Sequence, residues 1–192
     1  MSARLLVLAV LISTSSCMSN HPVYAGGGVK EGEVVIVGRI EMVPPLGLED
    51  QSVVGTNTVA TVDYQNQVFF ITDNHYRDVG PTPEPALFDG GLKASLRAPF
   101  HVVVPNAPLY LLRAGIFLKT GQINEMAYLP AGFVVNVAAE DSAVCIGPYT
   151  RNEFMDILRV DLIDECEQIS DWFARYVDSK LTLTKRLPVS IQ

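Results

Sequence analysis

The chain is short of charge. Asp, Glu, Lys and Arg make up 18% of its 192 residues, against about 25% in an ordinary soluble domain. The basic sign is the scarcer: 14 Lys and Arg against 21 Asp and Glu, a formal net charge of −7. No basic run is longer than Lys185-Arg186. A nucleic-acid footprint or a polybasic membrane patch needs cations clustered on one face, so no nucleic-acid partner is expected. Histidine and cysteine are equally sparse, three of each. No HExxH, GxSxG, SxxK or GxGxxG pattern occurs, which removes the compact signatures of zinc proteases, serine hydrolases and dinucleotide binders. Beyond Ser16 no apolar run approaches the ~20 residues that cross a bilayer. The longest candidate, Ala107 to Lys119, is broken by Pro108 and Arg113.

What is present is apolar. Hydrophobic residues are 48% of the chain, enough for one domain with a core of its own, which we place at 33–192. The apolar content starts at the N-terminus. Arg4 is followed by an uninterrupted run from Leu5 to Ile12, then by Ser13-Thr14-Ser15-Ser16-Cys17. That length suits a secretory leader and is too short for a membrane span. Small residues before a cysteine resemble the bacterial lipobox, with Thr14 where leucine is the usual residue. The resemblance implies a signal peptide over 1–16 and a lipidated Cys17 at the mature N-terminus, carrying acyl chains of the palmitate type. Two or three such chains anchor durably. Met18 in place of Asp then points to the outer membrane, if the cell has one. The rival reading is cleavage after Val23-Tyr24-Ala25, thirteen residues past the end of the apolar run, which is too far.

Residues 17–32 read as the lipidated cysteine and a flexible tether. Gly26-Gly27-Gly28 lacks the strand and the GK[ST] of a phosphate loop and reads as spacer. The body is mainly β. Strands are expected at Glu33–Met42, Thr58–Tyr64 with Gln67–Thr72 as its hairpin partner, Ala94–Arg97, Phe100–Val104, Leu109–Leu118, Asn124–Leu129, Gly132–Ala138, Ser142–Ile146 and Asp156–Ile163. A polar, proline-rich loop fills Asp73 to Gly91. Asp164, with Glu167 three residues on, is expected to cap a helix over Glu165–Asp178. Its stripe is Cys166, Ile169, Phe173 and Tyr176 or Val177. The tail Leu181–Ile191 is expected to add one strand. The fold predicted is an antiparallel β-sandwich with one C-terminal amphipathic helix packed on it. The segments VVIVGRI, YLPAGFVVNVA and AVCIGPY resemble envelope lipoproteins with transthyretin-like or carboxypeptidase-regulatory-like sandwiches. Pro130-Ala131-Gly132 departs from the proline-glycine turn of that family by one inserted residue. The resemblance implies an architecture and carries no catalytic residue.

Few residues invite chemistry. Cys145 and Cys166 make an even pair in a chain expected to be exported, so a disulfide and two separately buried thiols both stand. Asp73, His75 and Asp78 share a loop and form a weak candidate cation site; His21 falls in the tether and His101 in an apolar strand. The acidic pairs Glu49-Asp50, Glu140-Asp141 and Asp164-Glu165 place neighbours on opposite sides of the chain and make no acid–base dyad alone. Tyr64, Phe69, Phe70, Tyr76, Phe88, Tyr110, Tyr128 and Tyr149 would be mostly core. No cofactor is expected. The sequence thus predicts a membrane-anchored envelope lipoprotein with a non-enzymatic structural, adhesion or complex-assembly role, its partners being the membrane and an envelope protein. A ligand-binding module for glycan, metal or peptide is the second reading. A hydrolase or redox enzyme with a site built from distant residues is the third.

Overall fold

In the strand β5 (Phe100–Pro105), Phe100, Val102 and Val104 are buried while His101 and Val103 are half-buried. This alternation is what a half-covered strand produces. The computed structural model describes residues 23–47, 66–72, 91–120, 123–150 and 158–191. Its other strands are β1 (Glu33–Gly38), β2 (Ile40–Val43), β3 (Gln67–Thr72), β4 (Leu92–Ser95), β6 (Leu109–Thr120), β7 (Ile123–Val135), β8 (Ala143–Ile146), β9 (Arg159–Leu162), β10 (Thr184–Arg186) and β11 (Val189–Ser190). The helix is α1 (Cys166–Tyr176). The expected strand at Thr58–Tyr64, the 73–90 part of the loop and the leader through His21 lie outside the described residues.

Two sheets face each other. One runs β10-β8-β1-β5 and the other β11-β7-β6-β3-β4. Between them lie Val34 and Ile36 of β1, Val68 and Phe70 of β3, Ile116 of β6 and Phe133 of β7, all buried. The described residues therefore form a β-sandwich with one helix packed on it. The five-stranded sheet is antiparallel throughout. The other is mixed, with β1 and β10 each parallel to β8. Helix α1 covers the far side of that mixed sheet, where Ile169 and Phe173 meet Val35 and Val37. Buried on both sides, β1 is apolar at five consecutive positions, Val34 to Gly38, the pattern of a strand sandwiched between layers.

Three expectations change. The strand expected over Glu33–Met42 is two strands. The chain turns at Arg39, and β2 leaves to pair with β9 (Ile40↔Leu162). Gly38, the glycine of VVIVGRI, sits at that exit; a Cβ there would lie 2.8 Å from Phe100 and 2.9 Å from Ile146. Second, Pro130-Ala131-Gly132 is no turn. It lies inside the 13-residue β7, at a bulge where the pairing passes from Arg113↔Pro130 to Leu111↔Phe133. The bulge accommodates a residue without an N–H, and Gly132 takes φ +108°. Third, the tail is two strands. β10 joins the mixed sheet and β11 the antiparallel one, so eleven residues of tail lace both layers together. Among the described residues β3 pairs with β4 on one side and β6 on the other, and its expected hairpin partner Thr58–Tyr64 lies outside them.

Candidate functional site

Chemistry-bearing side chains gather on the helix side of the mixed sheet. Cys145 on β8 points toward α1, whose first residue is Cys166, and the two are joined by a disulfide with Cα atoms 5.8 Å apart. The helix does not start as expected. Its N-cap is Glu165, with no side-chain capping bond. Asp164 instead pairs with Lys185 Nζ at 2.6 Å, and Glu165 with Arg39 Nε at 3.4 Å. Both carboxylates are drawn to cations outside the helix, Lys185 on β10 and Arg39 at the turn between β1 and β2, and the disulfide ties the helix start to β8.

The other end of the helix is held by the segment read as tether. Tyr24 is buried, with its ring stacked on Phe173 at 6.1 Å between centroids. Its hydroxyl donates to Asp178 Oδ2 at 2.5 Å and accepts from the Gly28 N–H at 2.9 Å. The Lys180 N–H donates to the second Asp178 oxygen at 2.8 Å. Gly26, Gly27 and Gly28 all take positive φ, between +83° and +99°. The glycine run is thus a left-handed turn that folds Gly28 back over Tyr24, not free spacer. From Val23 onward the chain is docked, and Val23 makes an antiparallel bridge to Val102 of β5. The Tyr24 hydroxyl and the backbone donors beside Asp178 hold its carboxyl below the usual carboxylate range. Burial, reinforced by Asp178, raises the pKa of Tyr24.

His101 lies between these anchors. Its ring is 5.6 Å from that of Trp172 and 6.5 Å from that of Phe173. Nδ1 is buried and makes no hydrogen bond among the described residues. Burial lowers the pKa of the imidazole, and the nearby Pro99 backbone opposes the shift. The ring is packed as an aromatic, and among the described residues no carboxylate is bonded to it.

A second region is concave. A groove of about 450 Å³ opens between β4 and β5, the edge strands of the two sheets. Its polar lining includes Asn66, Lys93, Ser95, Arg97 and His101, with Val23 on one wall. Every charged residue lining it is basic, in a chain of net charge −7. On the outer face of the five-stranded sheet, pairing aligns Tyr110, Val134 and Val189 in a row. Tyr110, Leu187, Val189 and Ile191 are exposed there and along the tail.

Of the residues singled out from sequence, the structure brings together Cys145 and Cys166. Asp141 of the Glu140-Asp141 pair is buried in a two-bonded ion pair with Arg186, 2.9 Å for each bond, which holds its carboxyl below the ordinary range. Phe69 and Phe70 are buried, Tyr149 packs against Phe133 at 4.6 Å, and Tyr110 is exposed. Cys17, His21, Glu49-Asp50, Tyr64, Asp73, His75, Tyr76, Asp78 and Phe88 lie outside the described residues, as does the side chain of Tyr128. Among the described residues no three His, Cys, Asp or Glu side chains gather as a metal site, and no helix is long and apolar enough to cross a membrane. Sequence reasoning missed Tyr24 and Asp178, 154 residues apart. The glycine run was their one local signal. No family model, curated protein or solved structure matches this chain.

Proposed function

We propose that this is an exported envelope lipoprotein, held at a membrane by Cys17, whose sandwich works by holding a protein partner and not by catalysis. The observation that carries this reading is the docking of Tyr24. Cleavage after Ala25, the rival processing site, would remove Tyr24 and leave Phe173 and the Asp178 carboxylate uncovered, an unfavourable exposure of apolar surface and loss of a charge-assisted bond. Cleavage before Cys17 keeps the segment whole. The disulfide adds support, because such bonds persist in oxidising compartments outside the cytosol. The resemblance to transthyretin-like envelope sandwiches belongs to the same reading.

The docked segment also fixes the reach of the anchor. Tyr24 lies seven residues along the chain from Cys17, and seven steps of about 3.5 Å span at most ~25 Å. The domain would stand close over the lipid surface. The apolar row of exposed Tyr110, half-buried Val134 and exposed Val189 is then available to a neighbouring envelope protein. The test is fractionation of a bacterial host expressing the full chain, with mass determination of the mature N-terminus. Wild type should be acylated and membrane-bound, and Cys17→Ser soluble. Membrane retention of Cys17→Ser, or a mature chain beginning at Gly26, would overturn the proposal.

A further inference from the structure

The groove between β4 and β5 has features that the apolar row does not. Among the described residues β4 is paired with β3 on one side only, and along the other edge it lines the groove with Lys93, Ala94 and Ser95. Such an edge is a ready template for another strand. Its lining is selective in charge. Arg39, Arg159, Lys185 and Arg186 each hold a carboxylate. Lys93 and Arg97 hold none among the described residues; Lys93 rests over the Phe69 ring at 5.4 Å. Lys93 and Ser95 are the half-buried, outward residues of β4, alternating with buried Leu92 and Ala94. Arg97 follows just beyond the strand. A lysine on an edge strand repels indiscriminate pairing; with a second cation beside it, the edge discriminates in favour of an acidic strand. The volume, about 450 Å³, falls in the range of small-ligand pockets and suits a few residues of extended chain, not a folded domain.

We propose that this groove takes an extended acidic segment of a partner protein, which adds as a strand to the groove-side edge of β4 and sets its carboxylates against Lys93 and Arg97. The proposal rests on the partner-holding reading and names the partner's chemistry. It is independent of the anchor, so its failure in solution would leave the Cys17 result untouched. The experiment is calorimetry of the processed full chain in detergent, using synthetic hexapeptides as probes. One alternates Asp with Val, one alternates Lys with Val, and one is the acidic peptide with alternate amides N-methylated. Free glutamate serves as the small-anion control. The acidic peptide should bind at least about tenfold more tightly than the lysine peptide, and more weakly as salt rises from about 0.05 to about 0.5 M. N-methylation, which removes ladder donors and leaves the charge, should lose about tenfold. Lys93→Gln/Arg97→Gln should lose as much with an unchanged melting curve, and in the wild type the amide signals of Lys93 and Ser95 should shift on titration. Absence of binding by the acidic peptide, equal binding of the lysine peptide, undiminished binding after N-methylation, or glutamate matching the peptide would each overturn the proposal. Self-association abolished by the double variant would put a second copy in the groove and overturn it as well.

Discussion

β1 has two faces, and they are covered by different means. Val34 and Ile36 face the opposing sheet; Val35 and Val37 face the helix; all four are fully buried. The sandwich side closes over apolar side chains drawn from strands of both sheets. The helix side closes by specific links: a disulfide at one end of α1 and the Tyr24–Asp178 bond at the other. The first side follows from burying surface, which is non-directional and tolerates many sequences. The second depends on a few pairings that either form or do not.

The largest expected effect lies on the sandwich side. Phe70 is buried and meets Phe133 edge to face at 6.3 Å. Phe70→Ala should cost about 3–5 kcal/mol, read as a lower urea midpoint with both sheets lost in one transition. Next comes the disulfide. Cys145→Ala/Cys166→Ala removes a link across 21 residues, worth about 3 kcal/mol in the chain-entropy account. Its signature should be regional, with amide exchange accelerated in α1 and little changed in β6 and β7. Uniform acceleration in both regions would collapse the distinction between the two faces.

The same distinction explains what the sequence made legible. Alternation in FHVVVP and the continuous apolar run in VVIVG announce strands, because burial imprints period two or its absence directly on the residues. The stripe Cys166, Ile169 and Phe173 likewise marks the buried face of the helix. Features that depend on distant partners left no such imprint. Asp164 has every local credential of a helix cap and is taken by Lys185 from β10. The Pro130-Ala131-Gly132 turn signal is absorbed by a bulge, because β6 is long enough to continue the pairing past it. Gly26-Gly27-Gly28 has the composition of a linker, and only the position of Tyr24 and Val177 makes it a turn: a Cβ on Gly26 would lie 3.1 Å from the Val177 carbonyl oxygen. The groove needed two edge strands from different sheets to meet, and Lys93 and Arg97 carried no motif.

A smaller effect probes the latch alone. Tyr24→Phe keeps the ring against Phe173 and removes the hydroxyl between Asp178 and Gly28. It should cost about 1.5–3 kcal/mol, the range for a hydrogen bond to a charged group. Proteolysis should then cut near Gly26 to Gly28 while leaving the sandwich intact. If Tyr24→Phe matches wild type in both respects, stacking alone holds the segment and the hydroxyl bond contributes nothing.

The subtlest test is pH. The carboxyls of Asp178 and Asp141 both sit below their ordinary values, the first through Tyr24 and the second through Arg186. A depressed carboxyl binds its proton less readily in the folded chain than in the unfolded one. Its stabilisation is therefore full above the ordinary carboxylate pKa, about 4, and is lost as pH falls through the lower folded value. The space between the sheets is lined by apolar side chains, which acid does not reach. Acidification below about pH 4 should thus release the two faces in order. Exchange should rise first around Val23 to Gly28 and the end of α1, where Asp178 lies, and only later in β6 and β7. Asp178→Asn should flatten the first step and leave the second, while Asp141→Asn should act on β10 and the turn at Ala138. Simultaneous release of helix and sandwich in the wild type would mean that the links on the helix side are not separable from the core they cover.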